Sequence, residues 1–525
     1  MTAPLTLAFL RDYARRPLNV VLLLVVPVVF VALSAGVIVD FAEILGSLAD
    51  LGSLEAATAG WAAAVLAGIG GFFQVVGSRQ ADRRLAAAGS GTVPVVAARV
   101  GAGLALATVA TVGSLFALWW RAGIDDPVRT VAVTAMFALI YLGIGAAVGA
   151  VVHDELNGSL IVLFVWMFDM FLGPGFSGGD NLLVRVFPTH FPTLVMLGLD
   201  SGHSSVTADW IYSAVWAVGA LGAAGWLLVR STRPLAPDQL GAGRAWVALL
   251  PDVVRRPGRS RARAATRHDG GLVGRSRSAI AFRYAFRQYR RNSVMWVLLL
   301  GLPVAFITLS FAVTPEQPAP VELVEGGTTT LAVVSMVKVH GAIMAPITVA
   351  FLAGIAGLFV VLGSAQADRR LVGAGFRTHQ VLAARIGVIW CAALAVTAIS
   401  VAVTAVDYTP QSWGLFIVAN VFVALTYGMV GVIAGELAGR LGGLYLVITI
   451  PFIDVGIAQN VMFSAAPPAW GRFLPAHGPV RLLVDGAFTP TFDETGALLL
   501  ALVWLVAATA VAVTIFHRLA RPAKG

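Results

Sequence analysis

Long apolar runs, separated by short polar stretches, follow one another along almost the whole chain. A helix that crosses a bilayer needs about 20 consecutive, largely apolar residues. Twelve segments are predicted as spans on this basis, near residues 18–38, 59–77, 99–120, 130–152, 159–173, 210–230, 294–313, 341–363, 386–406, 413–434, 444–460 and 496–516. The pattern therefore predicts an all-α membrane protein with twelve transmembrane helices. The fifth segment of each half, 159–173 and 444–460, is short for a full crossing.

The composition excludes a water-soluble globular domain. Of the 525 residues, 58% are hydrophobic and only 12% are charged, and the mean hydropathy is +0.85, far from the usage of ordinary soluble domains. The first apolar run follows Arg15, Arg16 and Pro17 without a small-residue cleavage site, so we expect it to be retained as a span. A single cysteine, Cys391, excludes a disulfide framework and a cysteine metal site.

The distribution of charge between the loops predicts the orientation. Segments 39–58 and 314–330 contain acidic residues and no base, whereas arginines crowd residues 79–84, 369–370 and 231–279. Because arginine-rich loops stay in the cytoplasm, we expect an inner (plasma) membrane protein with both termini cytoplasmic. The arginines behind the net charge of +9 lie between spans rather than on one soluble face, so no nucleic-acid partner is expected.

An internal repeat is the most informative feature of the sequence. Residues 77–85, GSRQADRRL, recur at 363–371 as GSAQADRRL, an offset of 286 residues (363 − 77). Similar offsets relate further pairs in chain order: Arg11 and Arg287, Tyr13 and Tyr289, Pro27 and Pro303, Arg99 and Arg385, Tyr141 and Tyr427, Asp169 and Asp454, and His190 and His477. Such a series predicts two copies of one structural unit.

The repeat defines the domain organisation. We predict a first six-span unit at 1–230, a second at 280–525, and an Arg-rich cytoplasmic linker at 231–279. The linker is predicted to be a tether, either simply solvated or lying near anionic headgroups. Because each unit has an even number of spans, both run in the same direction, and a central pathway is expected between the two halves.

Two polar loops, one after the second span of each half, are candidate contacts for a partner protein. Each is predicted to be a short polar helix closed by a glycine, Gly89 or Gly375. The candidate residues are Asp82, Arg83, Arg84, Asp368, Arg369 and Arg370. The alternative is a cluster of charges that snorkel at the end of a span, but duplication of the whole block favours a function.

The outer side of each half carries a second set of candidates. The fifth span breaks at residues 173–175 or near Asn460, and a proline-rich outward segment follows, which predicts short helices that re-enter the outer leaflet as a lid. The candidates on the pathway or lid are Asp169, Asp454, His190 and His477. Each aspartate either contacts a cationic substrate, holds the lid, or caps the short helix that follows. For the histidines, hydrogen bonds in a turn are favoured over a metal or pH site.

The sequence contains no catalytic constellation and no phosphate-binding loop. A Walker loop ends in Gly-Lys-Ser/Thr, whereas Lys338 follows Val337 and Lys524 follows Ala523. We therefore expect no enzyme activity and no cofactor in this chain. Aromatic and arginine residues ahead of each first span, including Tyr13 and Tyr289, also predict interfacial helices that contact membrane lipid.

Three features of the chain resemble the permeases of type-two exporters of the ATP-binding-cassette (ABC) class. They are the interfacial helix before Pro27 and Pro303, the loop at residues 80–94, and the re-entrant segment before the sixth span. The chain is similar to fused, two-repeat actinobacterial exporters of antibiotics. The resemblance implies a separate ABC ATPase homodimer, which holds the ATP and Mg, and places its coupling contacts on the two polar loops. The sequence departs from the family where an acidic residue usually opens the loop, since Arg79 and Ala365 stand there.

Two alternatives to an ABC permease are open. A proton-coupled secondary efflux transporter of the major facilitator type also has twelve spans in two halves, but its Gly-x-x-x-Asp-Arg motif is one residue shorter than the Gly77-to-Asp82 spacing here. A non-transporting scaffold would not require duplicated polar features. For a transporter, spans composed mainly of Ala, Val, Leu, Gly and Phe predict a lipophilic or amphipathic substrate.

Overall fold

The structure is a computed structural model that describes residues 2–15, 17–44, 51–174, 184–199, 204–233, 272–290, 293–314 and 316–519. Most of the predicted linker, residues 234–271, lies outside the described residues. The first half of the chain forms helices α1 (Thr2–Ala14), α2 (Pro17–Ile44), α3 (Leu51–Val76), α4 (Arg79–Leu85), α5 (Thr92–Ala122), α6 (Pro127–Val151), α7 (Glu155–Leu172), α8 (His190–Leu197) and α9 (Val206–Thr232).

The described residues of the second half form helices and two strands. These are α10 (Leu272–Arg290), α11 (Ser293–Val313), strands β1 (Pro318–Glu325) and β2 (Thr328–Ser335), α12 (Met336–Gly373), α13 (Thr378–Asp407), α14 (Trp413–Pro451), α15 (His477–Phe488) and α16 (Thr495–Leu519). Each of the twelve predicted segments overlaps one of these helices.

Eight helices in the described part of the chain are long and apolar enough to cross a membrane, namely α3, α5, α6, α9, α12, α13, α14 and α16. Shorter apolar stretches lie on α2 (Leu23–Leu33), α7 (Asn157–Met170) and α11 (Met295–Phe311). Length and composition of this kind are required of spanning helices, so the chain is a multi-pass helical membrane protein.

One helical run contains two of the predicted segments. Segments 413–434 and 444–460 lie on α14 and the π-helical turn Phe452–Ala458 that follows it. The run has no intervening loop and is broken at Gly439, whose φ is 68° and ψ −157°. Because glycine adopts a positive φ without steric cost, the chain changes direction there within a single residue.

A β-hairpin in the second half is an element that the all-α prediction missed. Strands β1 and β2 pair antiparallel, with Val321 opposite Ala332 and Glu325 opposite Thr328. Gly326 and Gly327 close the turn with φ values of 56° and 79°, as a two-residue hairpin turn requires. Alternating buried side chains, Val321 and Leu323, ahead of this glycine pair are the sequence signal for the hairpin.

Glycines set the spacing of the most closely packed helices. On α3 and α6, a β-carbon added at Gly145 would overlap the carbonyl oxygen of Gly68. On α12 and α14, a β-carbon at Gly431 would overlap the carbonyl oxygen of Gly354 in the same way. Both residues of the second pair lie 286 positions after those of the first. Small residues allow helix backbones to approach this closely in membranes.

The two halves share one core. A continuous cluster of buried apolar side chains includes Trp61 and Tyr141 of the first half together with Tyr427 and Tyr445 of the second. The seam between the halves contains the Tyr445 hydroxyl, which donates to the Leu66 carbonyl at 3.3 Å. The rings of Phe30 and Phe452 also meet across this seam and stack at 5.2 Å between centroids.

Replacing either close-packed glycine should destabilise the protein. We expect Gly145→Ala and Gly431→Ala each to lower the free energy of unfolding by about 1–3 kcal/mol, because the neighbouring backbone must move. Gly219→Ala on α9 is the control, since a β-carbon there meets no atom within 4 Å. Thermal unfolding of the detergent-solubilised variants, followed by size-exclusion chromatography, measures the difference. Equal melting temperatures for all three would contradict this account of the packing.

Candidate functional site

The polar loop of the first half is organised around a buried ion pair. Asp82 on α4 is only 5% exposed, and its two carboxylate oxygens accept hydrogen bonds from Nε and Nη2 of Arg99 at 3.1 and 2.5 Å. Ser78 Oγ donates a further hydrogen bond to Asp82 at 3.1 Å. Arg99 lies in the early turns of α5, so the pair ties the short helix α4 to the base of α5.

The second half repeats this arrangement. Asp368 accepts hydrogen bonds from Nε and Nη2 of Arg385 at 3.0 and 2.7 Å, and from Ser364 Oγ at 2.9 Å. In both halves the aspartate and arginine are 17 residues apart. We call the two groups, Ser78–Asp82–Arg99 and Ser364–Asp368–Arg385, the loop ties. The sequence placed Arg99 and Arg385 in the repeat, but only the fold showed what they bind.

The loop arginines differ in what they contact. Arg83 Nε donates to the Ser231 carbonyl at the end of α9 at 2.7 Å, whereas Arg84 is exposed. In the second half Arg370 is exposed, and the side chain of Arg369 lies outside those described. Arg84 and Arg370 therefore point positive charge away from the bundle, where a partner can reach it.

The two loops are not equivalent. In the first, the Arg79 guanidinium donates to the carbonyls of Ala150 and Val152 at the end of α6, which complements the negative end of that helix. The matching residue in the second loop, Ala365, has no donor. Correspondingly, α4 is a separate helix, whereas the second loop begins as the uninterrupted last turns of α12. Both loops close at a glycine with positive φ, Gly89 at 101° and Gly375 at 92°.

A buried carboxylate lies near the end of α7. Asp169 is 1% exposed. It accepts a hydrogen bond from the Tyr141 hydroxyl on α6 at 2.7 Å and from the backbone N–H of Thr189 at 3.1 Å. Thr189 immediately precedes α8, so the carboxylate satisfies an amide at the start of that helix and complements its dipole.

Asp454 makes the same contacts in the second half. It accepts from the Tyr427 hydroxyl at 2.5 Å and from the N–H of Ala476, the residue before α15, at 2.9 Å. We call the two groups, Tyr141–Asp169–Thr189 and Tyr427–Asp454–Ala476, the acidic clamps. These hydrogen bonds fit two of the roles considered for the aspartates, capping the short helix and holding the stretch before it, residues 184–189 or 461–476, which we call the return segments. Contact with a cationic substrate stays a prediction. The tyrosines belonged to the repeat, but their separation from the aspartates concealed the contact.

The predicted histidines begin the two short helices. His477 Nδ1 lies 3.0 Å from Gln459 Oε1. Burial lowers the pKa of His477, and the nearby guanidiniums of Arg481 and Arg472 lower it further, so the ring is neutral at pH 7. His190 packs edge-on against Phe191 at 5.0 Å between ring centroids. Within the described residues, no three metal-ligating side chains come together.

No protein-family model matches the chain, and no curated protein sequence matches it either. Its function is therefore inferred from its own residues, its duplicated geometry and the sequence resemblance described above.

Breaking one loop tie should destabilise the fold. We expect Asp82→Ala to lower the free energy of unfolding by about 3–5 kcal/mol, because it leaves the Arg99 guanidinium buried without its partner. Arg84→Ala on the same helix is the control, and its effect should stay within about 0.5 kcal/mol because the side chain is exposed. Thermal unfolding distinguishes the two. A fully stable Asp82→Ala protein that fails only to bind a partner would instead assign Asp82 to docking.

The acidic clamps should tolerate asparagine better than leucine. Asp169→Leu removes the acceptor for both the Tyr141 hydroxyl and the Thr189 amide, and each buried unpaired group costs about 1–3 kcal/mol. Asp169→Asn keeps one acceptor oxygen and should leave the return segment resistant to limited proteolysis, as should Asp454→Asn. If the chain exports compounds, as the sequence resemblance implies, the asparagine variants should handle neutral and cationic compounds alike. Selective loss of cationic compounds would indicate a substrate contact.

Proposed function

We propose that this chain is the transmembrane permease of an ATP-driven exporter, with twelve spans arranged as two parallel six-helix repeats. The observation that carries the proposal is the duplicated loop tie. In each half a buried Asp–Arg pair braces the loop between two long apolar helices, and an exposed arginine, Arg84 or Arg370, projects from that loop. Two braced, basic loops on one face suit a partner that has two copies of the same docking surface.

An ABC ATPase homodimer is the partner proposed for these loops. The chain itself carries no Walker loop, so an ATP-driven exporter built on this chain takes its energy from another subunit. A loop that transmits movement has to be stiff, and the buried ion pairs supply that stiffness by joining each loop to α5 or α13. In this assembly the loops face the cytoplasm, with both termini on the same side of the inner membrane, and ATP and Mg stay on the ATPase.

The proposed cargo is a lipophilic or amphipathic compound of the antibiotic or lipid kind. The seam between the halves is lined by aromatic and aliphatic side chains, including the stacked pair Phe30 and Phe452. An apolar path strips a hydrophilic solute of water without replacing its hydrogen bonds, whereas a lipophilic compound loses little. The acidic clamps hold the outer return segments, which form the lid over this path.

A proton-coupled efflux transporter is the second candidate. The observation in its favour is the burial of Asp169 and Asp454 in apolar surroundings, since such acids often belong to proton pathways. Against this role, both carboxylates accept a hydrogen bond from a main-chain amide as well as from a tyrosine, contacts that hold each side chain in one position.

Reconstitution separates the two candidates. We expect the purified chain alone to hydrolyse no ATP and to export a lipophilic dye only when an ATPase subunit and ATP are present, because the energy source is external to the chain. An imposed proton gradient without ATP should drive no export. Export driven by the gradient alone would favour the facilitator. ATP turnover by the isolated chain, with contamination excluded, would contradict the proposal that the ATPase is a separate subunit.

Reversing the exposed loop charges should weaken the ATPase complex. We expect Arg84→Glu and Arg370→Glu each to lower affinity several-fold, because each exposed ion pair contributes up to about 1 kcal/mol. Arg129→Glu, outside the two loops, is the matched control. Pull-down of the ATPase subunit and membrane insertion of each variant are the measurements. Unchanged association in both loop variants would remove the docking role from these arginines.

A further inference from the structure

An ion pair joins the two halves at residues that the repeat makes equivalent. Glu155 is the first residue of α7, and Arg440 follows the break in α14 at Gly439. The offset between them is 285 residues (440 − 155), the same as between Asp169 and Asp454 (454 − 169). Leu156 and Gly158 recur as Leu441 and Gly443 at this offset, so the equivalence does not depend on the charged pair alone.

The Arg440 guanidinium donates to the Glu155 carboxylate, and both side chains are partly exposed, at 49% and 27%. This contact lies on the same face as the polar loops. The carbonyls of Ala150 and Val152, just before α7, bind Arg79 of the first loop. Further along the seam, Tyr445 and Phe452 make the contacts with the first half already described.

Equivalent residues of two units related by a two-fold axis touch each other only if they lie near that axis. With identical units, this position would bring two like charges together, which is repulsive. Here the two copies have diverged to opposite charges, so the contact at the axis is attractive. This attraction is available only to a chain whose two halves differ.

We propose that Glu155 and Arg440 form an inner latch, which closes the cytoplasmic end of the path between the halves and opens to admit the substrate. Exposed ion pairs add little to folding stability, so the latch can open without unfolding the bundle. Gly439, with its positive φ directly before Arg440, is the hinge about which the second part of α14 moves. The effect of the latch on export rests on the proposed function, whereas the contact between the two halves does not.

The first test measures the seam in the chain alone and needs no transport. In a Cys391→Ser background, His153→Cys and Leu437→Cys place thiols at exposed sites beside the pair and leave the pair intact. We expect a short bis-methanethiosulfonate reagent to bridge these cysteines, because each thiolate displaces a methanesulfinate and forms a disulfide that a reductant can later cleave. Glu155→Arg or Arg440→Glu should slow bridging roughly fivefold, the equilibrium factor that corresponds to an exposed ion pair. Combining both reversals should restore the rate.

Reversal of Arg121 and Glu55, a partly exposed ion pair within the first half with N···O 3.7 Å, is the matched control and should leave bridging unchanged. If the rate is the same in every variant, the latch is overturned whether or not the protein is an exporter. A lasting loss with the exchanged pair would likewise overturn it, because opposite charge would then not be the cause.

The second test adds the ATPase and measures export. We expect bridging to lower export at least tenfold and a reductant to restore it, whereas export before bridging should match that of the Cys391→Ser chain. If the bridged protein exports at full rate, the latch fails while the exporter function stands. If the unbridged protein exports nothing with ATPase and ATP, the exporter function fails, and the bridging rates of the first test still decide the ion pair.

Discussion

A charge buried among apolar helices must find its partners within the protein, because neither water nor lipid can supply them. This constraint explains how the buried acidic side chains at the ends of the bundle are paired. Asp82 and Asp368 are buried, and each takes two hydrogen bonds from one arginine on the next helix. Asp169 and Asp454 take theirs from a tyrosine and an amide. Each group thereby decides which two segments lie side by side.

Close helix packing brings these groups into reach. The contacts of Gly68 with Gly145 and of Gly354 with Gly431 place α3 against α6 and α12 against α14 with almost no side chain between them. Tyr141 on α6 and Tyr427 on α14 then lie deep enough to meet the carboxylates of Asp169 and Asp454. A bulkier residue at either close approach would separate the helices and also pull the tyrosine away from its clamp, so packing and polar contacts are coupled.

The two halves share the loop ties and the acidic clamps but differ in other contacts. Only the first has the Arg79 contacts with the end of α6, and the second carries the β-hairpin, which Arg481 joins to α15 through Glu322 at 2.9 Å. A single chain permits such divergence, since each position in one half can change without altering its counterpart. The opposite charges of Glu155 and Arg440 follow the same logic at the seam. The two polar loops of one chain can thus make different contacts.

The sequence by itself determined the features that depend on local composition. Apolar runs predicted the helices, and the repeated GSxQADRRL block predicted matching loops. Both signals lie in residues that are neighbours in the chain, so the sequence alone contains them. The hairpin was not predicted, although Gly326 and Gly327 mark its turn. Which groups meet was decided by the tertiary structure alone. Asp82 finds Arg99 across 17 positions, and Glu155 finds Arg440 across 285, since these contacts depend on how helices distant in the chain pack together.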